Sequence, residues 1–231
     1  MRKTNLGAIV LLMGALLAAL PNISWADVYR LDDASAVLRE VQAIPETQIP
    51  PELFRNANGI AIIPSLLKAS FIFGARYGKG VLVANRGGQW TAPVFITMGG
   101  PSFGLQAGAE STDIILIFKT ERSIQAFRSG KFTLGADVAV AAGPVGRHAE
   151  AATDIELRAE IYAYSRSRGL FGGVALEGAV LAIDDDTDAA FYGRAVNADE
   201  ILSGRVKAPR AAAAFIDLLQ QYSKVPRRSR K

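Results

Sequence analysis
Cysteine is absent from the sequence, and histidine occurs once, as His148. The first absence excludes disulfides, thiolate nucleophiles, cysteine-held metal and a lipid anchor on an N-terminal cysteine. The second excludes a histidine-rich metal site and leaves His148 as the base of any Ser–His–Asp arrangement. No enzymatic activity, no cofactor and no metal are therefore expected. A dominant charge is lacking too: 26 basic residues face 22 acidic ones. Five of the positive charges are Lys224, Arg227, Arg228, Arg230 and Lys231 at the C-terminus, so the basic character is local. It gives no footprint for nucleic-acid binding, and none is expected.

Long apolar runs are also scarce. The one that stands out, Leu6 to Leu20, follows Arg2-Lys3 and precedes Pro21 and Ser24-Trp25-Ala26. A basic start, a short apolar stretch and small residues before a cut site predict a secretory signal peptide over residues 1–26, cleaved after Ala26. An uncleaved anchor is the alternative, and Pro21 and the short run argue against it. Export of a cysteine-free chain points to a bacterial periplasm. The remainder divides into one domain over 27–222 and a basic, disordered tail over 223–231.

Within the domain, Asp32 or Asp33 can cap a helix carrying Ala34, Val37, Leu38, Val41 and Ile44, ended by Pro45. Pro50-Pro51-Glu52 opens a short second helix. Strands are then expected at Ile60–Ile63, stopped by Pro64, at Phe71–Val83, and at Trp90–Met98 after an Arg86-Gly87-Gly88 turn. Gly99-Gly100-Pro101 reads as another turn, before Phe103–Ala109 and Ile114–Phe118. Phe132–Ala141 alternates as one strand. Helices are expected again beyond Asp184, the last over Ala211–Tyr222. Glycines recur inside the strands, which marks bulges and sharp bends. The fold class is α+β: a strongly coiled antiparallel sheet approaching a barrel, with N-terminal and C-terminal helices.

The stretch from Glu156 to Ile183 reads as a β-hairpin. Its first arm alternates, with Leu157, Ala159, Ile161 and Ala163 on one face and Tyr162, Tyr164 and Arg166 on the other. Gly169, Gly172 and Gly173 interrupt it, leaving Leu170 and Phe171 at the tip beside Arg166 and Arg168. Those two apolar residues either plug the end of a core or enter lipid while the arginines meet phosphates. Glu177 lies in the apolar second arm, where a lone carboxylate is costly unless paired. Arg166 stands a diagonal step away, so a structural Glu177–Arg166 ion pair is expected instead of a catalytic acid. Gly74–Gly80 (GARYGKG) falls one residue short of a phosphate loop. It reads as a bent strand with Lys79 in water, or as Arg76 and Lys79 facing lipid phosphates. Asp184–Asp188 has acids at calcium-loop positions 1, 3 and 5. Ala189 and Ala195 replace the glycine and glutamate such a loop needs, so helix capping accounts for the cluster better than the alternative, weak calcium binding.

The string Ser165-Arg-Ser-Arg-Gly-Leu-Phe-Gly-Gly173, followed by Leu176-Glu177-Gly178, resembles the signature of the SYLF-domain family. The resemblance continues through Gly59–Pro64, Phe73-Gly74, Tyr77–Val81, Gly130-Lys131-Phe132 and Ala142–Arg147, and covers roughly Asp33 to Gly193. It implies a non-catalytic lipid-binding module; eukaryotic relatives bind phosphoinositides, and some bind actin filaments. For an exported chain the expected partner is an anionic phospholipid membrane, contacted peripherally. The residues expected to meet it are Lys68, Arg76, Lys79, Arg147, Arg166, Arg168, Leu170 and Phe171. An envelope protein partner, with the chain as an interaction or structural module, is the alternative.

Overall fold
The protein is described by a computed structural model over residues 25–43, 48–145, 158–167, 170–174 and 176–224, with backbone alone at 25–26, 70–72, 103–107, 128 and 170–173. Two helices come first, α1 (Trp25–Gln42) and α2 (Pro51–Asn56). Helix α1 starts well before Asp32, because Leu31 extends its apolar stripe of Ala34, Val37, Leu38 and Val41 by a further turn; all five are buried. In α2 a proline occupies the first turn and Phe54 is buried.

A long antiparallel ribbon dominates the fold. It consists of β1 (Gly59–Arg86), the short β2 (Gln89–Trp90) and β3 (Val94–Phe118). Asn85 pairs with Trp90 and Arg86 with Gln89, which leaves Gly87 and Gly88 as the whole connection, at φ 61° and 86°. Two successive positive φ values define the type I′ hairpin turn, whose twist matches that of the strands it joins. Pro64 does not end β1 as expected. The register shifts between Ile63 and Leu66, Ser65 takes φ 50°, and Pro64 sits inside this bulge, where no ladder N–H is needed. The expected turn at Gly99-Gly100-Pro101 is likewise continuous strand, paired with Tyr77, Arg76 and Ala75.

The ribbon doubles back on itself. A Cβ placed on Gly80 would lie 2.4 Å from the Ile62 carbonyl oxygen and 2.9 Å from the Ile63 Cα, and one on Gly78 would lie 2.8 Å from the Ile63 side chain. Residues 78–80 thus lie against the opening of their own strand, closer than any side chain permits. These in-strand glycines mark a crossing of backbone on backbone. The Asn85 N–H donates to the Asn58 carbonyl at 2.8 Å and helps close the loop.

The remaining strands line the far edge of β3. Strand β6 (Ile161–Ser167) pairs with Asp113–Phe118, and β8 (Val180–Ile183) with Ile96–Gly99. Strand β4 (Lys131–Thr133) joins β8, β7 (Leu170–Gly173) joins β6 antiparallel, and β5 (Val140–Ala142) joins β6 in parallel. The result is an eight-stranded, strongly curled half-barrel. The hairpin expected around Gly169 is present as β6–β7. Its second arm ends at Gly173, and β8 is a separate strand.

Both sheet faces are covered, which gives two cores. On one, Ile60, Ile62, Val81, Val83, Ile115 and Ile117 meet α1, α2 and the C-terminal helix. On the other, Ala61, Ile63, Leu82, Ile114, Leu116 and Phe118 meet Phe127, Phe132, Leu181 and Ile201. Tyr162 and Tyr164, assigned by alternation to a polar face, are buried in the first core for this reason. The strand expected over Phe132–Ala141 is broken. Gly135 turns at φ 85° and the Asp137 carboxylate accepts the Thr133 N–H at 2.7 Å, so β4 and β5 flank a turn.

The C-terminal helices are α4 (Asp185–Tyr192), α5 (Ala198–Leu202) and α6 (Ala213–Ser223), after the short α3 (Glu121–Gln125) between β3 and β4. Helix α6 buries Phe215, Leu218 and Leu219. It reaches one residue past the expected domain end, and Ser223 Oγ accepts the indole N–H of Trp90 at 3.0 Å.

Candidate functional site
The cations singled out from sequence separate into two groups. Lys79 Nζ donates to Asp184 Oδ2 at 2.9 Å. Burial pushes the Asp184 carboxyl up, but hydrogen bonds from Lys79 and Thr187 outweigh it and hold the carboxyl below the usual aspartate range. Asp184 also caps α4, accepting the Thr187 N–H. Arg166 is fully engaged: Nε donates to Asp113 Oδ2 at 2.9 Å, Nη2 to the same oxygen, and Nη1 to Glu40 Oε2. It ties β6 to β3 and to α1.

The expected Glu177–Arg166 pair is therefore not formed. Glu177 stands exposed in a turn, and Gly178 beside it turns at φ 76° between buried Leu176 and Ala179. That left-handed glycine breaks the apolar run, so Glu177 never enters a strand. Its charge acts on Arg76.

Lys68 and Arg76 form the second group. Both are half-buried on β1, and neither joins an ion pair among the described residues. Lys68 is in register with Glu110. Arg76 Nε donates to the Pro101 carbonyl at 3.0 Å. Burial lowers the Arg76 pKa, while the charge of Glu177 opposes that shift. Arg147 and Arg168 lie outside the described residues, as do the side chains of Leu170 and Phe171. The backbone shows Leu170 paired with Ser167 and Phe171 with Arg166, so these two are the first strand residues beyond the turn.

Sequence reasoning passed over the residues that alternate with Lys68 and Arg76. Leu67 is 61% exposed, Phe73 74% and Tyr77 54%, and Ala69 and Ala75 between them also face out. Their cross-strand partners on β3 include Ser111 for Leu67, Ala109 for Ala69, Pro101 for Ala75 and Gly99 for Tyr77. None of these carries a charge. Around the bend of the ribbon the apolar row points to solvent and the cationic row is half-covered, the reverse of an ordinary surface strand. Alternation in one strand shows two rows and not which one the body covers. The available signal was that Lys68 and Arg76 share their row with Gly78 and Gly80, the residues of close approach.

Gly100-Pro101-Ser102-Phe103-Gly104 has the Gly-x-Ser-x-Gly spacing of a hydrolase nucleophile elbow. Ser102, however, sits within β3 opposite Gly74, is 1% exposed and lies on no strand-to-helix turn. Among the described residues no three acidic or histidine side chains converge as metal ligands, and no helix is long and apolar enough to cross a membrane.

A family profile described as "Ysc84: Las17-binding protein actin regulator" matches residues 99–222. The yeast (Saccharomyces cerevisiae) Protein YSC84 is 42% identical over 176 residues, which cover 74% of this chain and 37% of that protein. The SH3 domain-containing YSC84-like protein 1 of Xenopus laevis is 37% identical over 198 residues, 82% of this chain and 59% of the relative. Its human counterpart is 36% identical over 197 residues, 82% and 57% respectively. The chain thus spans between about a third and three fifths of the length of these relatives.

Proposed function
Since the chain belongs to the Ysc84 (SYLF) family, we propose that it is a non-catalytic module that associates peripherally with anionic phospholipid at a bacterial envelope, through the bend of the β1–β3 ribbon. The observation that carries this reading is the outward row Leu67, Phe73 and Tyr77, with Lys68 and Arg76 interleaved. Large apolar groups exposed together in one row mark an interaction surface. A bilayer interface accepts both rows: aromatic rings at the acyl boundary, and long cationic side chains reaching phosphates. Burying a side chain of this size contributes roughly 1.5–3 kcal/mol, whereas a lysine or arginine near an anionic surface contributes about 1 kcal/mol and less with salt. The apolar row thus contributes more than the cations, and much of the binding should survive physiological ionic strength. The basic tail adds a salt-sensitive component.

Flotation with liposomes of graded anionic content and salt tests this. Residues 27–231 should float, and a chain ending at Lys224 should still float with a shallower salt dependence. That end point removes four of the five terminal charges and keeps Ser223 on Trp90. The triple variant Leu67→Ser, Phe73→Ser, Tyr77→Ser should lose partitioning at least ~10-fold with its melting temperature nearly unchanged, because exposed substitutions cost within about 0.5 kcal/mol each. Undiminished flotation of the triple variant would refute the assignment. Loss of all binding on removing the tail alone would give the membrane contact to the tail. No flotation of the parent at any composition would favour a protein partner for the same face.

A further inference from the structure
Asp188, on α4, is wholly buried, and among the described residues half of its carboxylate has no partner. Oδ1 accepts the Phe95 N–H at 2.9 Å, while Oδ2 meets no hydrogen-bond donor among the described residues. A buried carboxylate oxygen left in this way is costly, so its surroundings call for an explanation.

The groups that face it come from three other elements as well as its own. From α1 come Asp27, 5% exposed, and Arg30, whose guanidinium lies 5.3 Å from the Phe95 ring centre. From β1 comes Lys79, already bonded to Asp184. Strand β3 supplies the Phe95 N–H, and α4 and its cap supply Asp184, Asp185 and Tyr192, whose hydroxyl donates to the Pro93 carbonyl at 2.6 Å. Arg30 Nη1 approaches Asp27 Oδ1 at 3.5 Å and has no hydrogen-bond partner among the described residues. Both cations thus have carboxylates of their own, Asp184 for Lys79 and Asp27 for Arg30. Asp188 is the carboxylate left over.

We propose that this pocket is a binding site for a primary ammonium group, and that its occupant is the chain's own α-amino group, freed at Asp27 when the leader is cut after Ala26. The chemistry suits the place. An ammonium is a compact charge with three donors, more than enough for an unpartnered carboxylate oxygen. An external cation would have to enter a site with no exposure. The α-nitrogen of residue 27 is joined through Cα and Cβ to a carboxylate whose charge acts on Asp188; as an amide it does not bond Oδ2, and cutting the chain would free it to turn there. The positive end of α1 opposes an ammonium in its first turn. The excess of buried carboxylate over cation outweighs that repulsion.

Such an ammonium acts on folding and processing, independently of lipid binding. With Ala26 still attached, burial, opposed by the Phe95 N–H and reinforced by Asp185, Asp184 and Asp27, pushes the Asp188 carboxyl up to about 8. The folded state then holds a proton that the unfolded chain releases near its ordinary value. Stability is full below that ordinary value and is lost as pH rises toward about 8. With the ammonium in place Asp188 is ionised and paired. Stability should then stay level to about pH 7 and fall only as the amino group, ordinarily near 8, gives up its proton.

Three measurements test this. The full chain, expressed with export, should yield a protein whose first residue by mass spectrometry is Asp27; any other first residue overturns the proposal. Chains 27–231 and 24–231 carry the same charge, displaced by three residues in the second. The first should melt higher at pH 7 by about 5 °C or more, and only the second should lose stability steadily between about pH 4 and 8. Asp188→Asn, made in both, should bring their melting temperatures together and flatten the slope of the longer chain. Equal melting temperatures and parallel pH profiles in the parent pair, or a difference that survives Asp188→Asn, would show that the ammonium does not sit there.

Discussion
Gly80→Ala is expected to abolish the native fold or to cost more than about 4 kcal/mol, a large share of the 5–15 kcal/mol typical of a domain. The reason is contact with backbone: the added methyl would stand 2.4 Å from the Ile62 carbonyl oxygen and 2.9 Å from the Ile63 Cα. Neither atom can rotate away, so the two halves of β1 must separate or the crossing must open. Gly108→Ala, in the same ribbon, meets nothing within 4 Å and should change stability by less than about 0.5 kcal/mol. Urea denaturation of the two variants beside the parent decides the matter. Similar midpoints for Gly80→Ala and the parent would mean that the crossing is not a close contact.

Arg166→Met should cost about 2–4 kcal/mol, because it leaves Asp113 with a largely buried and uncompensated charge. The side chains of Arg166 and Asp113 are 27% and 13% exposed, which places the effect between that of a surface pair and that of a fully buried one. A double-mutant cycle assigns the partner. Arg166→Met with Asp113→Asn should show a coupling of at least ~1 kcal/mol, and Arg166→Met with Glu177→Gln none. Glu177→Ala alone should stay within about 0.5 kcal/mol, as expected for an exposed turn residue. Coupling to Glu177 instead would restore the hairpin geometry read from the sequence.

Much of the architecture was legible because it rests on local chemistry. The Gly87-Gly88 turn, the proline-led α2, the hairpin across Gly169 and the coiling implied by in-strand glycines all follow from what one or two residues permit. The family resemblance was legible too, since it rests on short strings in order. What failed required knowledge of the other side of a strand. Pro64 and Gly99-Gly100-Pro101 read as stops, yet a proline is harmless where a bulge removes the ladder bond, and the paired strand carries the chain through. Tyr162 and Tyr164 read as an outer face, since alternation assumes one buried side and this sheet has two. Arg166 found Asp113 and Glu40, distant in sequence, instead of its neighbour Glu177. At the bend, the same ambiguity hid Leu67, Phe73 and Tyr77 behind cations that looked like the exposed row.

The Gly87-Gly88 turn also bears on the order in which the molecule assembles. Two consecutive left-handed glycines set the strand twist before any distant contact exists, so pairing can proceed outward from Asn85 and Trp90 one rung at a time. The crossing joins Ile62 to Gly80, residues close in sequence, so the loop that brings them together is short and entropically inexpensive. By this logic the ribbon forms its curl from neighbouring segments, and the terminal helices, which bring the largest sequence separations, dock on it afterwards. Substitutions near the turn should slow folding, and those in α6 should mainly hasten unfolding.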